Sequence, residues 1–178
     1  VAADSTTETY AALRLEIENW RWQGVPFFIR TGKRLKALQT ELRLVLKSPP
    51  VRGFKHAKKM PEPNQIVVKL DPTTGVRVTV DAHRGDEEGA GQIDLDVEFA
   101  AQGGEGATPY EVLLEAAMRG DGMRFTRQDG VEEQWRIMQP LLDAPPPVHP
   151  YEPGSWGPKE ADALIEGFGR WRGPWVTS

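Results

Sequence analysis

Apolar and polar side chains alternate over much of the first hundred residues. From Thr7 to Ile17, the residues Thr9, Ala11, Leu13, Leu15 and Ile17 share one face, with Glu8, Tyr10, Ala12, Arg14 and Glu16 on the other. Period two marks a half-buried strand. Pro26–Arg30 reads as a second strand, because Phe27, Phe28 and Ile29 are strand formers. Glu41–Lys47 sets Leu42, Leu44 and Leu46 against Glu41, Arg43, Val45 and Lys47, and Pro49-Pro50 ends it. Gln65–Leu70 and Val76–His83 are the fourth and fifth strands. The Asp71-Pro-Thr-Thr-Gly75 turn between them predicts a hairpin. A sixth strand, Gln92–Ala100, alternates Ile93, Leu95, Val97 and Phe99 with Asp94, Asp96 and Glu98. Its acidic face is expected to be wet or to meet basic residues of another surface.

Beyond the Gly-rich link Gln102–Ala107 the period changes. Thr108-Pro109 with Glu111 has the form of a capping box with proline at the first helical position. The stripe Tyr110, Val112–Leu114, Ala116–Met118 continues a helix that stops at Gly120. Val131–Leu142 is a second helix, with Trp135, Ile137, Met138 and Leu142 as candidate core residues, broken by Pro145–Pro147. Tyr151-Glu-Pro-Gly-Ser-Trp-Gly-Pro is a rigid turn leading into a last helix, Lys159–Ile165. Strands over about 7–100 followed by helices over about 108–166 predict an α+β fold: a largely antiparallel β-sheet meander with helices packed on one face. Strands with one apolar face need a cover, and the helices at 108–143 are expected to supply it.

With 178 residues the chain is long enough for a core of its own, and its charged fraction of 27% is ordinary for a globular protein. A net charge of −4 gives no reason to expect a nucleic-acid partner. No apolar run reaches the ~20 residues of a membrane span, so no membrane partner is expected. Cysteine is absent, which excludes disulfides and thiolate ligands and fits a reducing, cytoplasmic compartment.

Few positions look chemical. Val51–Pro63 is basic and aperiodic and reads as an exposed loop, with His56 a surface histidine. His83 and His149 lie far apart with no nucleophile elbow, and no carboxylate pair has a discriminating spacing, so no catalytic residue and no metal ligand is assigned. Gly-Gly-x-Gly at 103–106 lacks the spacing and the parallel-strand unit of a dinucleotide fingerprint. Trp20 and Trp22 flank Arg21. A sugar platform is one reading of them and packing is the other.

The densest signal is Glu18–Leu35, Glu-Asn-Trp-Arg-Trp-Gln-Gly-Val-Pro-Phe-Phe-Ile-Arg-Thr-Gly-Lys-Arg-Leu. Gly24 allows φ > 0, Pro26 fixes φ where a strand begins, and at Gly32 the missing side chain lets another group approach the backbone. Lys33 and Arg34 then stand at the strand's end, and a lysine ammonium suits a phosphate or a sugar hydroxyl. This stretch resembles the central segment of the C-terminal domain of glucose-6-phosphate dehydrogenases. The likeness includes Thr7–Ile17 and resumes at Pro109–Leu142 and Tyr151–Leu164, leaving out Val51–Pro63 and the last few residues.

The resemblance implies an enzyme family that oxidises glucose 6-phosphate at C1 to the lactone, in the oxidative pentose phosphate pathway, and passes hydride to NADP. It places Lys33 in the glucose 6-phosphate pocket. Family members usually carry a second basic residue five positions later, where this chain has Leu38; Lys36, three positions after Lys33, is the candidate replacement. Gln39 and Arg43 fall where some animal members bind a second, structural NADP, although Gln39 is not basic and Arg43 reads as an ordinary strand residue. The N-terminal Rossmann domain that binds NADP, the histidine base and the Asp-His-Tyr-Leu-Gly-Lys-Glu segment are not among these 178 residues. Residues 1–178 are therefore expected to be part of a C-terminal substrate-binding and oligomerisation domain, forming a homo-oligomer through the β-sheet and inactive alone. A stand-alone assembly or regulatory module of the same fold is the alternative.

Overall fold

The computed structural model describes residues 5–48, 62–83, 90–104 and 106–175, with the side chains of His83 and Ala90 left out. The basic loop is outside it up to residue 61, as is His56. The alternating segments form six strands: β1 (Tyr10–Glu16), β2 (Pro26–Gly32), β3 (Thr40–Val45), β4 (Gln65–Asp71), β5 (Gly75–His83) and β6 (Ala90–Glu98). All pairings are antiparallel. They make two sheets where one meander was expected: a β1-β2 pair, and a four-stranded meander β3-β4-β5-β6. The break follows β2. There the backbone of Lys33–Lys36 is bonded to residues 151–155 rather than to a third strand.

The chain divides into two compact units, Val1–Lys36 with Gly106–Trp171, and Ala37–Glu105 with Arg172–Ser178. In the first, Asn19 shapes the β1–β2 connection. Its Oδ1 accepts from the N–H groups of Arg21 and Trp22 at 3.1 and 2.8 Å, an Asx turn. Trp22 then packs edge-on against Phe27, while Trp20 is 93% exposed. Phe28 meets Phe168 and Trp171 at centroid distances of 5.5 and 6.1 Å.

Helix α1 spans Pro109–Arg119 with the expected capping box: the Thr108 hydroxyl accepts from the Glu111 N–H, and Glu111 accepts from the Thr108 N–H. Helix α2 spans Gln128–Asp143, three residues earlier at its start than the periodicity predicts. The α+β class is as expected, but the helical cover is not. The segment that packs on β1 is the 3-10 turn Lys159–Ile165, with Ala161 buried and the Trp171 indole donating to its carbonyl at 3.0 Å. Trp135, read as core, is 59% exposed, and Ile137 and Leu142 are exposed with it. An amphipathic stripe marks a face fit for burial and does not say what buries it.

In the second unit the buried face of the sheet is largely polar. The register aligns Arg43, Val67, Arg77 and Asp96 across four strands, with Glu41, Lys69, Gly75 and Glu98 in the next such row. Trp175 lies against this face, 3% exposed, with the Lys69 ammonium 4.6 Å and the Arg77 guanidinium 4.5 Å from its ring. The acidic face of β6 is wet at Asp94 and Asp96, as one reading expected, and also meets bases of its own sheet. Arg77 is bidentate to Asp96 at 2.7 and 2.6 Å, and Lys69 is 3.7 Å from Glu98. Leu42, Leu44, Leu95 and Val97, one residue out of phase, form the other face and are exposed.

Candidate functional site

The loop that ends β2 carries the two predicted binding residues. Arg30, on the strand, is held between two indoles, with its guanidinium 5.0 Å from the rings of both Trp156 and Trp171. Burial among these rings holds its pKa below the ordinary arginine value, opposed by the Tyr10 and Asp162 charges. Gly32 follows, and a side chain there would strike the Tyr10 ring and the Thr9 carbonyl, at 2.8 and 3.3 Å from a Cβ. That close approach is the reason for glycine in the Thr-Gly-Lys motif, and the approaching group is the chain's own β1.

Lys33 comes next. Its N–H donates to the Thr9 carbonyl at 2.8 Å and its carbonyl accepts from the Tyr151 hydroxyl at 2.7 Å. Arg34 has φ +51°, the left-handed region, which is uncommon outside glycine. Its carbonyl accepts from the Gly154 N–H at 2.8 Å, and the Lys36 N–H donates to the Ser155 carbonyl at 3.0 Å. The backbone of the loop is therefore fastened on both sides, while the side chains of Lys33 and Lys36 are exposed. Among the described residues no carboxylate forms an ion pair with either lysine. Fixed backbone with two uncommitted ammonium groups suits capture of an anion such as a phosphate monoester. Leu38, five positions after Lys33, is 89% exposed and brings no charge.

The turn Tyr151–Pro158 locks the back of this loop. Tyr151 packs on Tyr10 with the rings tilted by 53° and 5.4 Å between centroids, and Tyr10 fits against Gly157, where φ is +102° and a Cβ would overlap the Tyr10 ring. Burial raises the Tyr10 pKa, with Arg30 opposing. The only sequence signal for this assembly was the density of Gly, Pro and aromatic residues at 151–158.

Gln39 and Arg43 are both hydrogen-bonded within the second unit. The Gln39 amide donates to the Trp175 carbonyl, and the Glu41 carboxylate accepts from the Trp175 N–H at 2.8 Å. Arg43 is no ordinary exposed strand residue: it bonds to Glu41, to Gln65 and to the Gly173 carbonyl. With every strand pair antiparallel, the described residues do not fit an NADP site of the parallel βαβ kind. Nor do they hold a cluster of three His, Asp or Glu side chains fit for a metal ion. An open hollow of about 570 Å³ at the start of α2, lined by Arg127, Gln128, Asp129 and Glu132, includes neither lysine. Among the described residues no helix is long and apolar enough to cross a membrane.

The described residues make an α+β chain with a clamped lysine loop, and comparison with known proteins gives the family. Residues 1–172 match the family described as glucose-6-phosphate dehydrogenase, C-terminal domain, and the chain belongs to it. It is 49% identical to glucose-6-phosphate 1-dehydrogenase 1 of Mycobacterium tuberculosis over 176 residues, 99% of this chain and 37% of that protein. Against glucose-6-phosphate 1-dehydrogenase of Aggregatibacter actinomycetemcomitans the identity is 42%, over 96% of this chain and 35% of the relative. The crystal structure of the Mycobacterium avium enzyme superposes with a TM-score of 0.87 at 49% identity, covering 100% of this chain and 38% of that one. A structure described as glucose-6-phosphate dehydrogenase in complex with its substrate glucose-6-phosphate gives a TM-score of 0.80 at 25% identity, covering 98% and 37%. The chain thus spans little more than a third of the length of these relatives.

Proposed function

We propose that this chain serves as the C-terminal part of an NADP-dependent glucose-6-phosphate dehydrogenase, in which the loop Gly32–Lys36 forms one wall of the sugar-phosphate site. The observation that carries this reading is the Lys33 loop. Its backbone is fixed from both sides, its ammonium is uncommitted, and it lies in a family with a solved substrate complex. Lys33 binds the phosphate as a point charge with three donors, and Lys36 adds the charge that Leu38 lacks. Holding the phosphate, remote from the reacting carbon, supplies binding energy that orients C1 for hydride transfer. NADP, as the hydride acceptor, is bound outside the described residues.

The test is made on the product of the complete reading frame, followed by NADP reduction with glucose 6-phosphate. Lys33→Ala is expected to raise KM for glucose 6-phosphate by roughly 10- to 100-fold, which is about 1.4–2.8 kcal/mol. Lys36→Ala is expected to raise it less. An unchanged KM in Lys33→Ala would remove the phosphate role. The 178-residue chain alone is expected to show no NADP reduction.

The proposal includes assembly of copies through the four-stranded sheet, supported by its exposed apolar face at Leu42, Leu44, Leu95 and Val97. An assembly or regulatory module of the same fold predicts a defined oligomer from residues 1–178 but no dehydrogenase activity in the complete product.

A further inference from the structure

We infer that Tyr151 is the positioning residue of the lysine loop, its hydroxyl holding the Lys33 carbonyl and so setting where the Lys33 side chain begins. This rests on the reading of Lys33 as the phosphate-binding residue. The β1–β2 ladder ends at the Tyr10–Gly32 pair, and Lys33 adds one more bond, to Thr9. Beyond it the chain turns through Arg34 at φ +51°, a conformation costly enough that the surroundings must impose it. The surroundings are the segment Tyr151–Ser155. It bonds the Lys33 carbonyl through Tyr151, the Arg34 carbonyl through Gly154, and the Lys36 N–H through Ser155. Only the first of these three bonds comes from a side chain, so only it can be removed without moving backbone.

The two halves of Tyr151 do separate jobs. The ring packs against Tyr10 at a tilt and fixes the residue. The hydroxyl has one proton and two candidate acceptors, the Lys33 carbonyl at 2.7 Å and the Thr9 carbonyl at 3.1 Å. The shorter, to Lys33, is the better bond. The Thr9 hydroxyl, 3.4 Å away, can donate to the phenol oxygen in return. A lysine side chain has four rotatable carbons, so a fixed origin removes part of the entropy lost when its ammonium meets an anion.

The experiment compares Tyr151→Phe, Lys33→Ala and the double variant in the complete enzyme, with KM and kcat for glucose 6-phosphate and amide hydrogen exchange across 32–36. Tyr151→Phe keeps the ring contact with Tyr10. It is expected to raise KM roughly three- to tenfold, with a smaller change in kcat, and to speed exchange of the Lys33–Lys36 amides. The double variant is expected to match Lys33→Ala alone, because the hydroxyl acts through the lysine. Additive effects, or a Tyr151→Phe enzyme with unchanged KM and exchange, would overturn the inference. If Lys33→Ala leaves KM unchanged, the reading of Lys33 fails by itself. Exchange then decides the clamp: faster exchange in Tyr151→Phe upholds it, and unchanged exchange overturns it.

Discussion

In the two-stranded unit the half-buried aromatic rings Tyr10, Phe28, Trp156 and Trp171 accompany a loop whose lysines stay exposed. In the four-stranded sheet the most buried side chains are Gln65, Val67, Lys69 and Thr79, with the Trp175 indole over Lys69 and Arg77. The first arrangement leaves charge free to bind something else. The second spends its charges internally: Lys69, 2% exposed, faces Glu98 and the Trp175 ring, and Arg77 is shared between Asp96, Asp94 and the same ring. Buried cations are tolerated there because each has a carboxylate and a π face, whereas an unpartnered one would be costly. The comparison teaches that a lysine's role follows from what its neighbours leave uncommitted.

The sharpest way to break the comparison is Trp175→Ala. Loss of a buried indole costs about 3–5 kcal/mol, and here it also opens Lys69 and Arg77 to water. A large drop in Tm is expected with the Gly32–Lys36 amides unaffected; an unchanged Tm would mean that the indole does not seal the sheet. Gly157→Ala is next. It meets the Tyr10 ring and a left-handed φ together, at a combined cost of about 2–4 kcal/mol. Protease nicking near the 151–158 turn should then rise, and a variant as resistant as the parent would contradict the tight fit.

Lys33→Ala sits below these in stability and above them in specificity. It should leave folding stability within about 0.5 kcal/mol of the parent, since the side chain is exposed, while shifting KM as described. A substantial Tm loss would place Lys33 among the structural cations instead. The smallest effect is expected from Asp96. Its hydrogen bonds to Arg77 hold its carboxyl below the ordinary 3.8. The unfolded chain then takes up the proton first as pH falls, so this stability is present above about pH 4 and is lost as pH falls through the depressed folded value. Because the pair is partly exposed, Asp96→Asn should cost at most about 1 kcal/mol at pH 7 and should flatten the acid limb of a Tm–pH profile. Superimposable limbs would show that the pair contributes nothing.

Much of this was legible in residue order. Period two located β1, β3 and β6, the strand formers Phe27–Ile29 located β2, Asp71–Gly75 marked the β4–β5 hairpin, and Thr108-Pro-x-Glu gave the start of α1, because each signal acts within a few residues. Lys33 stood out through its glycine neighbour and its family resemblance. The misreadings share one cause. Alternation shows that two faces of a strand differ without saying which is covered, and here the face of Leu42 and Leu95 is exposed while Lys69 is buried. Likewise the stripe of α2 marked Trp135 for burial without showing what would bury it.

From sequence alone came the elements, the family, and the choice of Lys33. Tertiary structure alone decided which lysines are free. That Tyr151 holds the Lys33 carbonyl, 118 residues away, and that Trp175 closes over Lys69, are consequences of long-range packing. Local propensity cannot encode such pairings, because hydrogen bonds and cation–π contacts between distant residues depend on where the whole backbone places them.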